Sequence, residues 1–283
     1  MAKKTKPILV LGATGKTGRR LVPLLRDKGL QVRAASRTGD VRFDWDDETT
    51  WGRALTGVGA VYVVDQQDKP GQWDAEGMIA RFYDKAVDLG VTRIVALQAR
   101  PAGLIGGKDL HAGTEAARAS GVEWTVLRPC WFNQNFDEGV LLDSIRAGEL
   151  PLPAGTGAEA FIDVADVAEV AAAALTEDGH SGRVYNLSGR VALTFAEAVD
   201  IIGHAIGREV KYVPVSQEDY EAELVEFGVP TDYARFIGEL TARIDHGTSG
   251  AVTFTVEQVT GHQPIAFEDF VKDAASRGVW NPA

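Results

Sequence analysis

Three glycines near the start of the chain, Gly12, Gly15 and Gly18, have a spacing suited to binding a phosphate group. They follow the apolar run 7–11, which is typical of a buried parallel strand, and precede residues 19–25, which are typical of a helix. A strand, a glycine-rich turn and a helix bring free backbone N–H groups and a positive helix end to one point. A dinucleotide pyrophosphate is the expected ligand of such a turn.

Each glycine is expected to have its own physical task. Gly12 permits the tight turn, Gly15 lets a phosphate approach the backbone, and Gly18 lets the helix pack close to the sheet. We therefore predict that the turn contacts a cofactor through Gly12, Thr14, Gly15, Lys16, Thr17 and Gly18.

Two other interpretations of this turn are a P-loop and an ordinary connection between a strand and a helix. Gly15-Lys16-Thr17 matches the end of a P-loop, but that motif needs another glycine five positions before Gly15, where this chain has Val10. The alternation of strands and helices behind the turn favours the dinucleotide over an ordinary connection.

Strand-like and helix-like segments alternate along the chain, which is typical of a doubly wound parallel sheet. Strands are predicted over residues 7–11, 30–36, 41–44, 60–64, 93–97, 124–128 and 184–187, and helices include 74–89 and 109–119. The predicted fold class is α/β, a Rossmann-like doubly wound parallel sheet with a smaller, mostly helical C-terminal substrate lobe.

The predicted core covers residues 1–130 and is completed by a strand near 183–188, and the lobe is interleaved over 131–182 and 189–283. Within the lobe, residues 194–197 have the spacing of a helix capping box, and 216–219 are a weaker copy.

The composition excludes several classes of function. The chain has 283 residues, 45% of them hydrophobic, and no apolar run approaches the roughly 20 residues that span a bilayer. The net charge of −11 opposes nucleic-acid and anionic-membrane binding. One cysteine, Cys130, excludes an internal disulfide and is compatible with a reducing compartment. A cytoplasmic protein acting on a small molecule is expected.

The residues after the second predicted strand favour NADP over NAD. An NAD site usually has Asp or Glu roughly 20 residues past the glycines, but Ser36, Arg37 and Thr38 stand here, with no carboxylate before Asp40. Arg37 can bind a 2′-phosphate through two N–H groups, and Ser36 can add a hydroxyl. A solvated surface arginine is the alternative.

Asp44 and Trp45 lie at the end of the third predicted strand, near where the adenine would lie. Asp44 could accept a hydrogen bond from the adenine amino group while Trp45 packs nearby. The alternative is that the acidic run 46–49 begins a helix and provides its N-cap.

Several motifs together resemble the NmrA-like branch of atypical short-chain dehydrogenases, and within it the agroclavine and festuclavine dehydrogenases of ergot alkaloid pathways. The glycine turn and the Leu127-Arg128-Pro129 element are the most recognisable of them. The matching segments are residues 12–20, 35–37, 43–45, 121–136, 161–168 and 185–189. The resemblance covers essentially the whole chain and indicates the branch, not a substrate.

The resemblance implies where further site residues lie. Pro129 would end a strand beside the nicotinamide, and the backbone after it would hold the carboxamide. Glutamines at the ends of two neighbouring strands, Gln66 and Gln98, would contact the cofactor. The substrate would contact Gln67, Arg100, Trp131, Phe132 and Phe161. For Trp131 and Phe132, packing between sheet and lobe is the alternative.

The chain departs from typical short-chain dehydrogenases in its catalytic residues. None of its six tyrosines has a lysine four residues later, so the Tyr-x-x-x-Lys pair is missing. His111 is the remaining candidate for a proton donor, because relatives in the ergot subgroup often have a histidine there. A surface histidine at a helix start is the alternative.

Two functions therefore remain open. The first is an NADPH-dependent reductase of an iminium ion, a quinone, or a conjugated alkene or carbonyl, since hydride addition to such acceptors depends mainly on positioning. The second is a regulator of the NmrA type that senses NADP(H) without turnover. No metal is implied by either.

Overall fold

A computed structural model describes residues 6–64, 75–100, 104–105, 108–109, 111–245 and 250–281. The strands are β1 (Ile8–Leu11), β2 (Val32–Ser36), β3 (Val41–Arg42), β4 (Ala60–Val64), β5 (Arg93–Leu97), β6 (Leu104–Ile105), β7 (Lys108–Asp109), β8 (Glu123–Pro129), β9 (Glu149–Leu152), β10 (Ala158–Glu159), β11 (Arg183–Leu187), β12 (Leu193–Thr194) and β13 (Lys211–Pro214).

The helices are α1 (Gly18–Asp27), α2 (Thr49–Leu55), α3 (Ala75–Asp88), α4 (Ala112–Ala119), α5 (Leu142–Ala147), α6 (Val164–Thr176), α7 (Phe195–Ile206), α8 (Gln217–Glu226), α9 (Thr231–Ala242), α10 (Thr255–Thr260) and α11 (Phe267–Ser276). A short 3₁₀ helix covers Asn133–Asn135. Among these helices, none is both long enough and apolar enough to cross a membrane.

Seven strands form one parallel sheet in the order β11-β8-β5-β4-β1-β2-β3. The chain runs outward from β1 through β2 to β3 and then returns to the other side of β1, at β4. Open α/β sheets bind ligands at the carboxyl ends of the strands, where the direction of winding reverses. The predicted fold class is confirmed, and the candidate site belongs at the carboxyl ends of β1 and β4.

Both faces of the sheet are covered, which explains why β1 is apolar throughout. Ile8 and Val10 belong to a core shared with α1 and α6, whereas Leu9 and Leu11 belong to a core shared with α2, α3 and α4. Successive side chains of a strand point to opposite faces, so a strand buried on both sides has no polar position.

The predicted strands 60–64 and 93–97 have the same bounds in the structure. The predicted helix 109–119 begins later, at Ala112, because Lys108–Asp109 forms a small antiparallel pair with Leu104–Ile105. That pairing uses the backbone of the segment that was expected to be helical.

The second part of the chain has its own apolar core, which includes Phe136, Phe161, Phe195 and Phe267. Two short strand pairs, β9 with β13 and β10 with β12, bring its separate segments together. The capping box is present at the start of α7, where Thr194 and Glu197 bind each other's backbone N–H groups.

The predicted division into core and lobe remains a prediction, but α6 lies outside the lobe to which it was assigned. Val167, Ala168, Ala171 and Leu175 of this helix are buried in the same core as α1 and the sheet. The helix is apolar on almost every side, which is typical of a helix packed between two layers.

Asp166, in the first turn of α6, is a fully buried carboxylate. One oxygen accepts the Ile265 N–H at 2.9 Å, and the other has no partner among the described residues. Burial raises the pKa of Asp166 to about 7; the negative charges of Asp163 and Glu169 also raise it, whereas the Ile265 N–H and the nearby His262 lower it. Below about pH 7, the protonated acid is therefore the favoured form in the folded protein.

We predict that Asp166→Asn reduces the loss of stability that accompanies rising pH. Because the folded-state pKa lies above the unfolded value, Asp166 contributes stability below about pH 4, and this is lost as the pH approaches 7, by up to about 4 kcal/mol. Asparagine keeps the acceptor for Ile265 without the charge. Urea unfolding at pH 5 and pH 8 measures the difference.

His262 also contributes stability at low pH that is lost as the pH rises, because the Gln263 carbonyl and Glu169 raise its pKa. His262→Gln therefore serves as a control that measures the contribution of this histidine. An equal pH dependence in Asp166→Asn and the unsubstituted protein would contradict the prediction.

Candidate active site

The turn at residues 12–18 lies at the carboxyl end of β1 and leads directly into α1. Gly12 has a φ of +63°, a conformation that residues with a Cβ rarely adopt. A Cβ on Gly18 would lie 2.7 Å from the Ala13 Cα and closer still to the Gly12 carbonyl oxygen. A Cβ on Gly15 would meet only that oxygen, at 3.2 Å. The tight turn and the close helix packing expected of Gly12 and Gly18 are present in this geometry.

The start of α1 offers hydrogen-bond donors to a ligand. The backbone N–H groups of Thr17 and Gly18 have no acceptor within the described segments of the chain. The first turn of α1 contains Arg19 and Arg20 and no acidic residue, and Gly15 is exposed beside it. Free N–H groups at the positive end of a helix bind anions, so these residues fit a dinucleotide pyrophosphate.

Charged side chains link the turn to the lobe. Lys16 donates a hydrogen bond from Nζ to the Asn135 side-chain oxygen at 2.7 Å. Glu138 pairs with Arg20 at 3.0 Å and also with Arg19. Burial lowers the pKa of Arg20, and the charge of Arg19 adds to this effect. Lys16 thus faces the lobe, and its contact with the cofactor stays a prediction.

The end of β2 presents the residues predicted to select NADP. Arg37 is exposed, and no hydrogen bond or ion pair joins it to the described part of the chain. Ser36 is buried and its hydroxyl has no partner there either, and a Cβ on Gly39 would lie 2.7 Å from that hydroxyl oxygen. An exposed guanidinium beside an unsatisfied hydroxyl is compatible with a phosphate ligand.

Trp45 lies in the apolar core, 5% exposed, and packs against Phe43, Trp51 and Phe82. The expectation that its ring packs beside the adenine does not fit this burial, because three aromatic neighbours already surround it.

Asp44 is half-buried and accepts the Asp46 N–H through its carboxylate. The alternative N-cap in the run 46–49 is partly present, since the Asp47 carboxylate accepts from both the N–H and the hydroxyl of Thr49. These hydrogen bonds lower the pKa of Asp47. A contact between Asp44 and adenine stays a prediction.

The carboxyl end of β5 is joined to the first turn of α4 by two side-chain hydrogen bonds. Gln98, which follows β5 and is buried, accepts from the Thr114 hydroxyl at 2.6 Å. His111 lies 3.0 Å from the Ala99 carbonyl oxygen through Nε2. Arg128, near the end of β8, donates to the Thr114 hydroxyl oxygen at 2.8 Å. The structure therefore brings Gln98 and His111 together at one edge of the sheet.

The contact of His111 defines which ring nitrogen can exchange a proton. A carbonyl oxygen only accepts, so Nε2 must carry a hydrogen in the neutral and the charged ring alike. Nδ1 is then the only nitrogen whose protonation changes. His111 can donate a proton only as the imidazolium, through Nδ1.

The backbone after Pro129 has both of its first N–H groups occupied. Cys130 donates to the Leu187 carbonyl at 2.8 Å, and Trp131 donates to the fully buried Glu159 at 3.3 Å. This stretch can therefore offer only carbonyl oxygens to a nicotinamide carboxamide. Burial and the negative charge of Glu159 raise the pKa of the Cys130 thiol, so it stays protonated.

The aromatic residues predicted to contact substrate differ in burial. Trp131 and Phe132 are half-buried, and Trp131 packs edge-on against Phe195. Phe161 is 2% exposed, in the lobe core between Phe136 and Phe195. Phe161 lies in the layer behind Trp131, and its predicted contact with substrate would require the lobe core to open.

Arg100 is half-buried, and its guanidinium donates to the Cys130 sulfur and to the Ala251 carbonyl. It thus joins the end of β5 to the segment that precedes α10, and its contact with substrate stays a prediction. Gln66 and Gln67 lie outside the described residues.

Sequence reasoning missed Thr114, Arg128 and Glu159. Glu159 had a signal, because it is a single carboxylate in the otherwise apolar run 158–162. Arg128 lies in the Leu127-Arg128-Pro129 element, but its contact with Thr114 had no signal. Thr114 itself had none beyond its polarity, since only the packing of α4 between β5 and β8 brings the two residues together.

The fold and the turn define a dinucleotide-binding protein. A family model described as NAD(P)H-binding matches residues 12–178, and the chain belongs to this family. Agroclavine dehydrogenase from Claviceps fusiformis is 31% identical over 302 residues, covering 96% of this chain and 98% of that protein. An NAD(P)H azoreductase from Xenophilus azovorans is 31% identical over 290 residues, covering 95% and 98%.

Among solved structures, an NADPH-dependent quinone oxidoreductase from Escherichia coli has the same fold, with a TM-score of 0.80 and 24% identity over 94% of this chain and 99% of that one. The resemblance to the agroclavine and festuclavine dehydrogenases is confirmed, and the NmrA regulator shares the fold, with a TM-score of 0.75. This protein is an NAD(P)-dependent oxidoreductase.

We predict that NADPH binds at least tenfold more tightly than NADH, about 1.4 kcal/mol, and that Arg37→Ala removes most of this difference. The exposed guanidinium would pair with the 2′-phosphate, which NADH lacks, so NADH affinity should change little. Fluorescence titration measures both affinities, and Arg26→Ala, an exposed arginine in the last turn of α1, is the control. Equal affinities in the unsubstituted protein would refute the assignment.

We predict that Gly15→Val abolishes NADPH binding while the protein stays folded. The space around Gly15 is open except toward the Gly12 carbonyl oxygen, so the side chain occupies the space that the pyrophosphate needs. Gly18→Ala should instead destabilise the fold, because its Cβ meets backbone. Circular dichroism and cofactor titration separate the two effects. Normal NADPH affinity in Gly15→Val would show that the pyrophosphate lies elsewhere.

Proposed function

We propose that this protein is an NADPH-dependent reductase of a small, largely apolar acceptor: an iminium ion, a quinone, an azo compound, or a conjugated alkene or carbonyl. The observation that carries the proposal is the position of its tyrosines, none of which lies on α4 or at the carboxyl end of β5 or β8. Acceptors that need a strong acid are therefore disfavoured.

The six tyrosines all lie on described elements away from that edge: Tyr62 on β4, Tyr83 on α3, Tyr185 on β11, Tyr212 on β13, Tyr220 on α8 and Tyr233 on α9. Tyr62 is fully buried within the sheet, and burial raises the pKa of its hydroxyl well above the ordinary value. It is therefore an even weaker acid than a tyrosine in water.

NADPH, when bound, supplies two electrons and one hydrogen as a hydride. An iminium carbon that receives a hydride becomes a neutral amine, because the hydride cancels the positive charge on nitrogen. A quinone or an azo compound needs one proton in addition, which the imidazolium of His111 or water can provide. The task of the chain is then chiefly to position the acceptor.

Trp131 and Phe132 support an apolar acceptor. They are the second and third residues after the end of β8, and both are half-buried. The Trp131 backbone is held by Glu159 and its ring by Phe195, so the indole has a defined position. A flat ring system would pack well against such a surface.

The names of two relatives agree with this class of acceptor. One relative is an NAD(P)H azoreductase, and another is an agroclavine dehydrogenase. For this chain, the proposal includes hydride addition to a nitrogen–nitrogen double bond and to the carbon–nitrogen double bond of an iminium ion.

We predict that NADPH oxidation is stimulated by menadione, by methyl red or by an N-methyl-dihydroisoquinolinium ion, and that Trp131→Ala raises the Michaelis constant of that acceptor. His111→Ala should change turnover of the iminium ion modestly and lower turnover of the quinone or azo compound roughly 10²–10⁴-fold. Absorbance at the NADPH band follows each reaction, and His204→Ala, an exposed histidine of α7, is the control.

Tight NADPH binding without oxidation by any of these acceptors would contradict the proposal and would favour a regulator that senses NADP(H). Unchanged kinetics in both Trp131→Ala and His111→Ala would remove these residues from the site and leave the reductase activity standing.

A further inference from the structure

One carboxylate of the lobe, that of Glu138, binds both arginines at the start of α1. Its Oε1 accepts from Arg20 Nη1 at 3.0 Å, and its Oε2 pairs with Arg19. The side chains of Glu138 and Arg20 are 23% and 27% exposed, so most of this ion pair is shielded from water. The other charged residues of the segment 12–20 are all cations. Glu138 therefore brings the lobe's negative charge to a positively charged turn.

The contacts of Arg20 fix the place of this negative charge relative to the free N–H groups. Arg20 Nη1 also donates to the Lys16 carbonyl oxygen at 3.0 Å, so one nitrogen joins the turn to Glu138. That carbonyl belongs to the same peptide group as the Thr17 N–H, which has no acceptor within the described segments. The carboxylate and the expected pyrophosphate position are thus close enough for their charges to interact, since screening at physiological salt acts over about 8 Å.

The segment that carries Glu138 rests directly on the turn. Asn135 accepts a hydrogen bond from Lys16 Nζ at 2.7 Å. On the other side of Glu138, a Cβ added to Gly139 would lie 2.8 Å from the same Nζ. Because residues on both sides of Glu138 contact the turn, its carboxylate has a defined position there.

Two other carboxylates act on the charge of Arg20, and each has partners of its own. Asp137 accepts from Arg277 at 2.9 Å, and Asp163 accepts from Gln134 at 2.8 Å and caps α6. Within the described ranges, neither forms an ion pair with an arginine of α1. Of the three carboxylates, the glutamate is therefore the one that joins the lobe to the turn.

We infer that Glu138 is an internal counter-ion of the cofactor site, which offsets the positive charge of the turn and so weakens the binding of the dinucleotide pyrophosphate. This inference rests on the proposed function, because it places NADPH on the glycine turn. A pyrophosphate on the free N–H groups would bring two negative charges near that of Glu138, and like charges at this separation repel. An arginine that is paired with a carboxylate is also less available to a phosphate.

A counter-ion at this position favours exchange of the cofactor. Hydride transfer changes the nicotinamide and leaves the pyrophosphate as it was, so the turn holds NADPH and NADP⁺ alike. A reductase must release one before it binds the other, and release limits the turnover of many enzymes. A residue that weakens the binding of the shared pyrophosphate speeds this step.

The test compares Glu138→Gln with the matched control Glu123→Gln. Each removes one negative charge from an ion pair with an arginine, and Glu123 pairs with Arg93 at 2.6 Å at the amino ends of β8 and β5, away from the turn. Glu138→Ala is a second variant that also removes the hydrogen bond. Fluorescence titration at low and at high salt measures the affinities for NADPH and NADH. Stopped-flow fluorescence measures dissociation, and urea unfolding without cofactor shows that each variant is folded.

The expected result is that Glu138→Gln and Glu138→Ala bind NADPH about fivefold or more tightly, chiefly through slower dissociation. NADH affinity should rise by the same factor, because both cofactors contain the same pyrophosphate, whereas Arg37→Ala affects NADPH alone. The gain should shrink at high salt, which screens the repulsion. Glu123→Gln should keep both affinities within about twofold.

Unchanged or weaker binding of both cofactors in the two Glu138 variants would overturn the inference and leave the reductase function intact. Tighter binding of NADPH alone would also overturn it, because it would place the charge beside the 2′-phosphate. If the unsubstituted protein binds neither cofactor, the proposed function fails and the inference fails with it. If it binds NADPH but reduces no acceptor, the proposed function fails alone, and the titrations still decide the role of Glu138.

Discussion

The structure depends on one close approach that only glycine allows, that of Gly18 to the carbonyl group of Gly12. Any side chain at Gly18 would meet the backbone of the turn, so α1 could not begin directly at the end of β1. Because it does begin there, its first N–H groups lie at the carboxyl edge of the sheet. The same approach fixes α1 on the face where it packs with α6, and so couples a ligand-binding turn to the largest apolar core. A single missing Cβ therefore serves both the site and the fold.

The carboxyl ends of β5 and β8, where we propose that the nicotinamide binds, are organised differently from the glycine turn. At the glycine turn the backbone offers donors directly, whereas at the ends of β5 and β8 side chains are held by other side chains. Arg128, Thr114 and Gln98 form one such series, and Trp131 and Glu159 form another. Such an arrangement supplies orientation and hydrogen bonds without a strong acid. This arrangement is consistent with the proposed reaction, whose rate would depend mainly on how the acceptor is positioned.

Much of the fold could be predicted from the sequence, because it depends on local patterns. The bounds of the central strands could be predicted from apolar runs flanked by turns. The start of α7 could be predicted from the capping box at Thr194. The burial of Trp45 and the hydrogen bond between Gln98 and Thr114 could not be predicted, since both depend on residues that are distant in the sequence. Lys16 shows the same limit: its hydrogen bond to Asn135, which lies 119 residues away in the chain, had no signal in the sequence. Candidate residues could be predicted where they belong to a motif. The residues that bind them could not.

The interleaving of the two cores has a consequence for how the chain is made. The sheet receives its edge strand only with residues 183–187, after most of the first lobe segment has been synthesised. The lobe closes later still, because the Trp280 indole N–H donates to the Phe136 carbonyl at 2.8 Å and Arg208 binds the Trp280 carbonyl. During synthesis the sheet can therefore be completed well before the lobe, whose closure waits for residue 280. The side of the candidate site that the lobe provides is the last to form.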